Sequence, residues 1–222
     1  MMPRGFAACL LACLALVPAQ AQPTTPAELA QSLQRKYASI RDFSADFTHT
    51  YRGGVLKKQI TEKGRLLIKK PGRMRWDYST PEVKQFISDG VKVYSYIPAD
   101  RQVIVGTVPK DDTASTPALF LTGKGDLTRD FTASEGDVPA GFAAGTRALK
   151  LVPRTRQPDY DWLVLLVEPG SLALRGMVSA DSQGGTSMFS FANMKENVGL
   201  ADSEFTFRIP RGVDVITDAG GR

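Results

Sequence analysis

The sequence is short of the side chains that metal and thiol chemistry need. It has two cysteines, Cys9 and Cys13, and one histidine, His49. Both cysteines fall inside an apolar run, Phe6 to Val17, that follows the basic Arg4. Pro18 breaks the run, and Ala19-Gln20-Ala21 has the small-x-small pattern of a signal-peptidase site. The expectation is a signal peptide over residues 1–21, removed after Ala21, and one domain over 22–222. The mature chain would then hold no cysteine, which excludes disulfides, thiol catalysis and thiolate metal ligation together. One histidine leaves too few ligands for a structural zinc site. Asp111-Asp112 is an isolated acidic pair, best read as a solvated turn rather than a calcium loop. No metal and no cofactor is expected.

Other absences narrow the function. No apolar run after the leader approaches the roughly 20 residues of a membrane-spanning helix, so the expected product is exported and soluble. No Gly-x-Ser-x-Gly elbow and no phosphate-binding loop occurs. A pairing of His49 with Ser44 or Ser187 would be needed for hydrolysis, but His49 sits in mid-strand on an aromatic face, where a histidine is usually structural. With 23 acidic residues in the chain, a carboxylate pair for glycoside hydrolysis carries no information. The chain reads as a non-enzyme. Its net charge is +5, or +4 once Arg4 leaves with the leader. The excess is spread along the chain and forms no basic stripe, so no nucleic-acid partner is expected.

What the sequence does have is short apolar alternation. Thr25 as N-cap, Pro26 at the first helical position and Glu28 in the first turn predict a helix start, and Leu29, Leu33 and Tyr37 give it one apolar stripe. Phe43, Ala45, Phe47, His49 and Tyr51 then alternate with polar residues as a half-buried strand. Gly53-Gly54 turns that strand back. The stretch Gly64–Pro98 reads as a meander, with Met74, Trp76 and Tyr78 on one face and Arg73, Arg75 and Asp77 on the other. Asp89-Gly90 between two apolar runs is a hairpin signal of the type I′ kind.

Later strands follow around Gln102–Val108, Arg147–Val152, Trp162–Val167, Leu172–Val178 and Met188–Phe191. Helical pieces are expected at Ala118–Leu121 and as one turn near Leu127–Phe131. Roughly ten or eleven strands at this spacing predict an antiparallel barrel or sandwich. The aromatic face of Phe43, Phe47, Met74, Trp76, Met188 and Phe189 either fills a core or lines a cavity of a half-open barrel. Composition alone does not separate these readings.

Several motifs in order resemble one family. Lys69-Lys70-Pro71-Gly72-Arg73-Met74-Arg75-Trp76, Ser88-Asp89-Gly90 and Tyr94-Ser95-Tyr96-Ile97-Pro98 are similar to the signature of the LolA type of periplasmic outer-membrane lipoprotein carrier. Thr116-Pro117-Ala118-Leu119-Phe120-Leu121 resembles its lid helix. Asp181 through Gly184-Gly185-Thr186, with Phe191, Asn197 and Leu200, resembles its late hairpin, and Phe205–Val215 its C-terminal motif. The resemblance runs from about Leu33 to Ile216.

It implies a mainly β fold: an incomplete, half-open antiparallel barrel of about 10–11 strands under a lid of some two or three α-helices. It implies a monomeric periplasmic carrier that takes the acyl chains of lipoproteins from an inner-membrane ABC transporter to a receptor at the outer membrane. Phe43, Phe47, Met74, Trp76, Met188 and Phe189 would line or border the cavity. Leu119, Phe120 and Leu121 would form the underside of the lid. The family often has arginine directly before the proline of its Lys-Pro motif, and that residue matters for passing cargo onward. Lys70 stands there, a latch that keeps the charge but loses the planar five-donor fork. The alternatives are a carrier for another lipid, such as a glycolipid, and the lipidated outer-membrane receptor of the same pathway, with Cys13 as its lipidation site. A periplasmic sensor domain is a third, against which the missing second domain counts.

Overall fold

A computed structural model describes residues 25–54, 58–108 and 121–217. The chain opens with helix α1 (Pro26–Ser39), started by a capping box. The Thr25 hydroxyl accepts from the Glu28 N–H, and the Glu28 carboxylate accepts from the Thr25 N–H. Both are otherwise orphan donors of a helix start. Leu29, Leu33 and Tyr37 are buried on the stripe that the sequence spacing predicts, with Ala30 buried beside them.

Twelve strands follow. They are β1 (Asp42–Arg52), β2 (Gln59–Lys69), β3 (Arg73–Thr80), β4 (Lys84–Asp89), β5 (Lys92–Ile97), β6 (Gln102–Thr107), β7 (Phe131–Glu135), β8 (Arg147–Pro153), β9 (Trp162–Val167), β10 (Leu174–Ala180), β11 (Thr186–Glu196) and β12 (Asp214–Thr217). They form one sheet in the order β12-β6-β5-β4-β3-β2-β1-β11-β10-β9-β8-β7. The long strand β1 is the hinge of the order, because it pairs with both β2 and β11.

The sheet is rolled but not closed. Its end strands, β12 and β7, each have one neighbour. Strands β5 and β10 are six steps apart in the order, which is about 29 Å on a flat sheet at ~4.8 Å per step. Yet Val93 of β5 and Met177 of β10 line one cavity, so the sheet curls to bring them together. The face turned inward carries α1 and the main core.

Three expectations need correction. The sheet has twelve strands and is mixed, since β12 runs parallel to β6. The reason is the route of the chain after β11. It crosses the outer face, where Phe205 of a short 3-10 turn (Asp202–Phe205) is buried against β3 and β4 and Phe207 packs on Tyr94 and Tyr96. A strand that arrives by such a crossing need not be antiparallel to its neighbour. Among the described residues there is one α-helix, not a lid of two or three. The segment 126–130 makes a single turn, Asp130 N–H to Asp126 C=O. The Asp126 side chain takes the N–H groups of Thr128 and Arg129. Lid positions Ala118, Leu119 and Phe120 lie outside the described residues, as do the leader and Cys13. The third correction is local. The Asp89-Gly90 hairpin exists, but only Gly90 has positive φ. The Asp89 carboxylate closes the turn by accepting from the N–H groups of Val91 and Lys92, so the turn is not of type I′.

Candidate binding cavity

Register decides what faces inward. Phe43, Ile68 and Met74 stand in one row across β1, β2 and β3, and Ala45, Leu66 and Trp76 in the next. Phe47, Gly64 and Tyr78 form a third. Gly64 is required there. A Cβ on it would lie 2.7 Å from the Phe47 ring and closer still to the Asp77 carbonyl. Without that Cβ, the Phe47 ring fits over Gly64 and makes edge contacts with Trp76, at 5.1 Å, and Tyr78, at 4.8 Å between centroids. Phe189 of β11 joins this group at 5.1 Å from Trp76. Such aromatic pairs add to what burial alone contributes.

In front of these rings lies a cavity of about 360 Å³, within the usual ~300–1,000 Å³ of small-ligand sites. Met74, Trp76, Tyr78, Phe86, Met177 and Phe189 give it an apolar wall, and Ser179, Ser187 and Asp159 contribute polar atoms. Larger hollows exist elsewhere, such as one of about 580 Å³ by Asp46, Lys63, Arg65 and Asp77. That hollow is rimmed by charge, whereas the aromatic cavity offers a coherent apolar surface.

The residues singled out from the sequence separate into groups. Met74, Trp76 and Phe189 line the cavity. Phe47 stands behind its wall at 3% exposure, and Phe43 is buried at 1% in the core with α1. Met188 does not belong with them. It pairs with Thr50 and Val178, whereas its neighbour Phe189 pairs with His49 and Met177. Adjacent strand residues point to opposite faces, so Met188 faces outward. Leu121 is fully buried. Tyr78, Phe86, Val93, Met177, Ser179, Ser187 and Asp159 were not among the expected cavity residues. Tyr78 was the most accessible to sequence reasoning, since it shares the period-two face of Met74 and Trp76.

Lys70 sits at the end of β2. Its Nζ donates to the Tyr37 carbonyl in the last turn of α1, one of the four carbonyls a helix end leaves without an internal partner. The ammonium also stands at the negative end of the helix dipole. Burial pushes its pKa down. A Cβ on Gly123 would come within 3.1 Å of the Lys70 side chain, and the Gly72 N–H donates to the Thr122 carbonyl. Lys70 therefore joins the end of α1, the end of β2 and the turn after Leu121.

His49 is not poised for hydrolysis of the kind the sequence raised for Ser44, which lies on the opposite face of β1. The His49 Nδ1 is 3.1 Å from Glu62 Oε2, and its Nε2 is 3.4 Å from Ser187 Oγ. The imidazole stacks on the Phe189 ring at 4.1 Å. Desolvation holds the His49 pKa below the ordinary value, against the opposing pull of Glu62.

The fold is that of an open, rolled β-sheet protein, with an aromatic cavity on its inner face and a helix set into one side. The model of the outer membrane lipoprotein carrier protein LolA matches residues 38–208, and the chain belongs to that family. It is a family of carriers, not of enzymes. The outer-membrane lipoprotein carrier protein of Methylococcus capsulatus is 31% identical over 199 residues, covering 90% of each chain. That of Chromohalobacter salexigens is 32% identical over 206 residues, covering 91% of each. Among solved structures, an uncharacterized conserved protein from Thermus thermophilus superposes with a TM-score of 0.51 at 16% identity, covering 86% of this chain and 99% of that one. The last is a likeness of fold alone.

Proposed function

We propose that the protein carries lipoproteins across the periplasm by holding their acyl chains in the aromatic cavity. Cargo comes from an inner-membrane ABC transporter and passes to a receptor at the outer membrane, with the carrier acting as a monomer. The observation that carries this reading is the apolar wall of Met74, Trp76, Tyr78, Phe86, Met177 and Phe189 around one cavity, in a chain of the lipoprotein-carrier family. The expected leader over residues 1–21 gives the route out of the cytoplasm.

The energetics explain why such a carrier is needed. Burying an acyl chain yields ~0.8 kcal/mol per methylene, so about 15 methylenes are worth roughly 12 kcal/mol. Release into water on that scale is far too slow for traffic. Loading must be driven, and unloading must pass the chain from one apolar site to the next. A cover that opens in steps of a few kcal/mol suits this. In this reading Leu119, Phe120 and Leu121 form the underside of that cover, and Lys70 holds the turn that follows it to α1.

The test is to purify the protein from its own periplasm and identify the co-purifying lipid or lipoprotein by mass spectrometry. Lipoprotein should accompany the wild type and a Met188→Glu variant, whose change lies on the outer face. It should be lost from a folded Phe189→Glu variant. Retention by Phe189→Glu would overturn the cavity as the acyl site. Recovery of a glycolipid alone would favour a carrier for a different cargo.

A further inference from the structure

The inner face changes character along β1 to β4. Across β1 to β3, three successive rows, ending on Met74, Trp76 and Tyr78, are apolar. The fourth is charged. His49 stands opposite Glu62, and Lys84 reaches in from β4, where it pairs with Tyr78. Glu62 is held at both oxygens, by His49 at 3.1 Å and by the Lys84 ammonium at 2.5 Å. The side chains of Glu62 and His49 are only 12% and 14% exposed, and that of Lys84 22%. The Lys84 ammonium lies 4.4 Å from the Tyr78 ring centre and 6.0 Å from that of Phe86. Both rings line the cavity. So do Phe189, on which His49 stacks, and Ser187, beside its Nε2.

An ion pair set into an apolar wall costs desolvation that hydrophobic residues of similar size would avoid. A wall that had only hydrocarbon to hold would continue the pattern of the three rows above. An ammonium has three N–H groups, and Glu62 takes one of them. The two carboxylate contacts fix where the ammonium sits.

We propose that the Glu62–Lys84–His49 cluster is the head-group end of the cavity. The chain lies along Tyr78, Trp76 and Met74 with its methyl end toward Met74, a span of about 13 Å at ~3.3 Å per residue. Lys84, held in place by Glu62, donates to the acceptor oxygens at the head of the chain. His49 braces Glu62 and is a positioning residue. The ligand chemistry is an acyl oxygen next to a long chain, either the neutral carbonyl of an ester or amide or the carboxylate of a free fatty acid. The inference rests on the cavity being an acyl site, and it adds the direction in which the chain lies.

The test is displacement of N-phenylnaphthylamine from the purified protein by hexadecane, methyl hexadecanoate and hexadecanoic acid. The variant is the double Glu62→Gln/Lys84→Met, which removes the pair without leaving a lone charge, and its folding is checked by thermal melting. In the wild type, at least one oxygen-bearing probe should bind roughly fivefold or more tightly than hexadecane, the scale of one net hydrogen bond. The double variant should lose that preference while its affinity for hexadecane stays within about twofold. A preference for the acid over the ester assigns an anionic head, and equal preference a neutral carbonyl. An equal response to all three probes in the wild type, or a preference that survives in the variant, would overturn the head-group assignment and leave the acyl cavity standing. Failure of hexadecane to displace the probe would remove the cavity reading, and this inference with it.

Discussion

The inner face of the rolled sheet is two surfaces. On β8 and β9, Leu149, Leu151, Leu163 and Leu165 are at most 1% exposed, in one cluster with Leu29 and Leu33 of α1. On β4 to β6, the same face carries Phe86 and Val93, which are half-buried, and Ile104, which is 39% exposed. Both sets come from strands that turn apolar side chains to this face. The difference is the cover. A helix of 14 residues is about 21 Å long, which is short against twelve strands, and α1 packs on β7 and β8. The apolar face that α1 does not reach is where the cavity lies. Apolar alternation therefore says which residues turn inward, and the cover says which of them become core and which become a binding surface.

The sharpest way to break this comparison is to cut one large side chain from each surface. Leu165→Ala should lower the unfolding free energy by about 3 kcal/mol, as buried Leu→Ala changes do. Ile104→Ala should cost no more than about 0.5 kcal/mol, as an exposed change does. Urea denaturation measures both, and equal losses would mean the two surfaces are packed alike. Next in size is Gly64→Ala. Its Cβ meets the Phe47 ring and the Asp77 backbone, and overpacking of this kind costs about 1–3 kcal/mol. Its effect should also reach the cavity, seen as weaker binding of an apolar dye, because Phe47 buttresses Trp76.

A smaller effect is expected at the junction beside α1. Lys70→Met removes the cation from the helix end and should cost about 1 kcal/mol, with faster hydrogen exchange in the last turn of α1. Smallest is the pH response of the charged row. The groups facing His49 are Glu62 on β2 and Lys84 on β4. The unfolded chain binds the His49 proton near pH 6.5, and the folded chain binds it only at lower pH. The unfolded state therefore holds more protons in that window, and stability falls as pH drops below about 6.5. His49→Gln should flatten the stability profile between pH 7 and pH 5.

How much of this was legible in the sequence depended on whether the signal was local. Helix α1 was, because Thr25, Pro26 and Glu28 carry their meaning within one turn. So was the inward face of β1 and β3, because Phe43 to Tyr51 and Met74 to Tyr78 alternate without interruption. In Ser187-Met188-Phe189-Ser190-Phe191 the alternation fails. Met188 and Phe189 are both large and apolar, and only the register against β1 and β10 assigns Phe189 to the inner face. Register also hid the charged row. Glu62 and Lys84 belong to different strands, and the β2–β3 pairing shifts between Lys63 and Gly64, so counting along the hairpin does not bring them together. The position of Lys70 was visible, but its partner is a backbone carbonyl, which leaves no mark in the sequence. The parallel placement of β12 depends on a long crossing over the outer face, and four exposed residues carry no sign of it.

The two tryptophans allow one direct test of where the acyl chain lies. Trp76 lines the cavity, whereas Trp162 pairs with Ala180 on the outer face, where Lys150 lies over its ring. Each can be left as the sole reporter, in Trp162→Phe and Trp76→Phe variants, and titrated with a brominated sixteen-carbon fatty acid, whose bromines quench tryptophan on contact. A chain held in the cavity predicts saturable quenching of Trp76 and none of Trp162. Quenching of Trp162 with Trp76 unaffected would contradict it, because the acyl chain would then lie on the outside of the sheet.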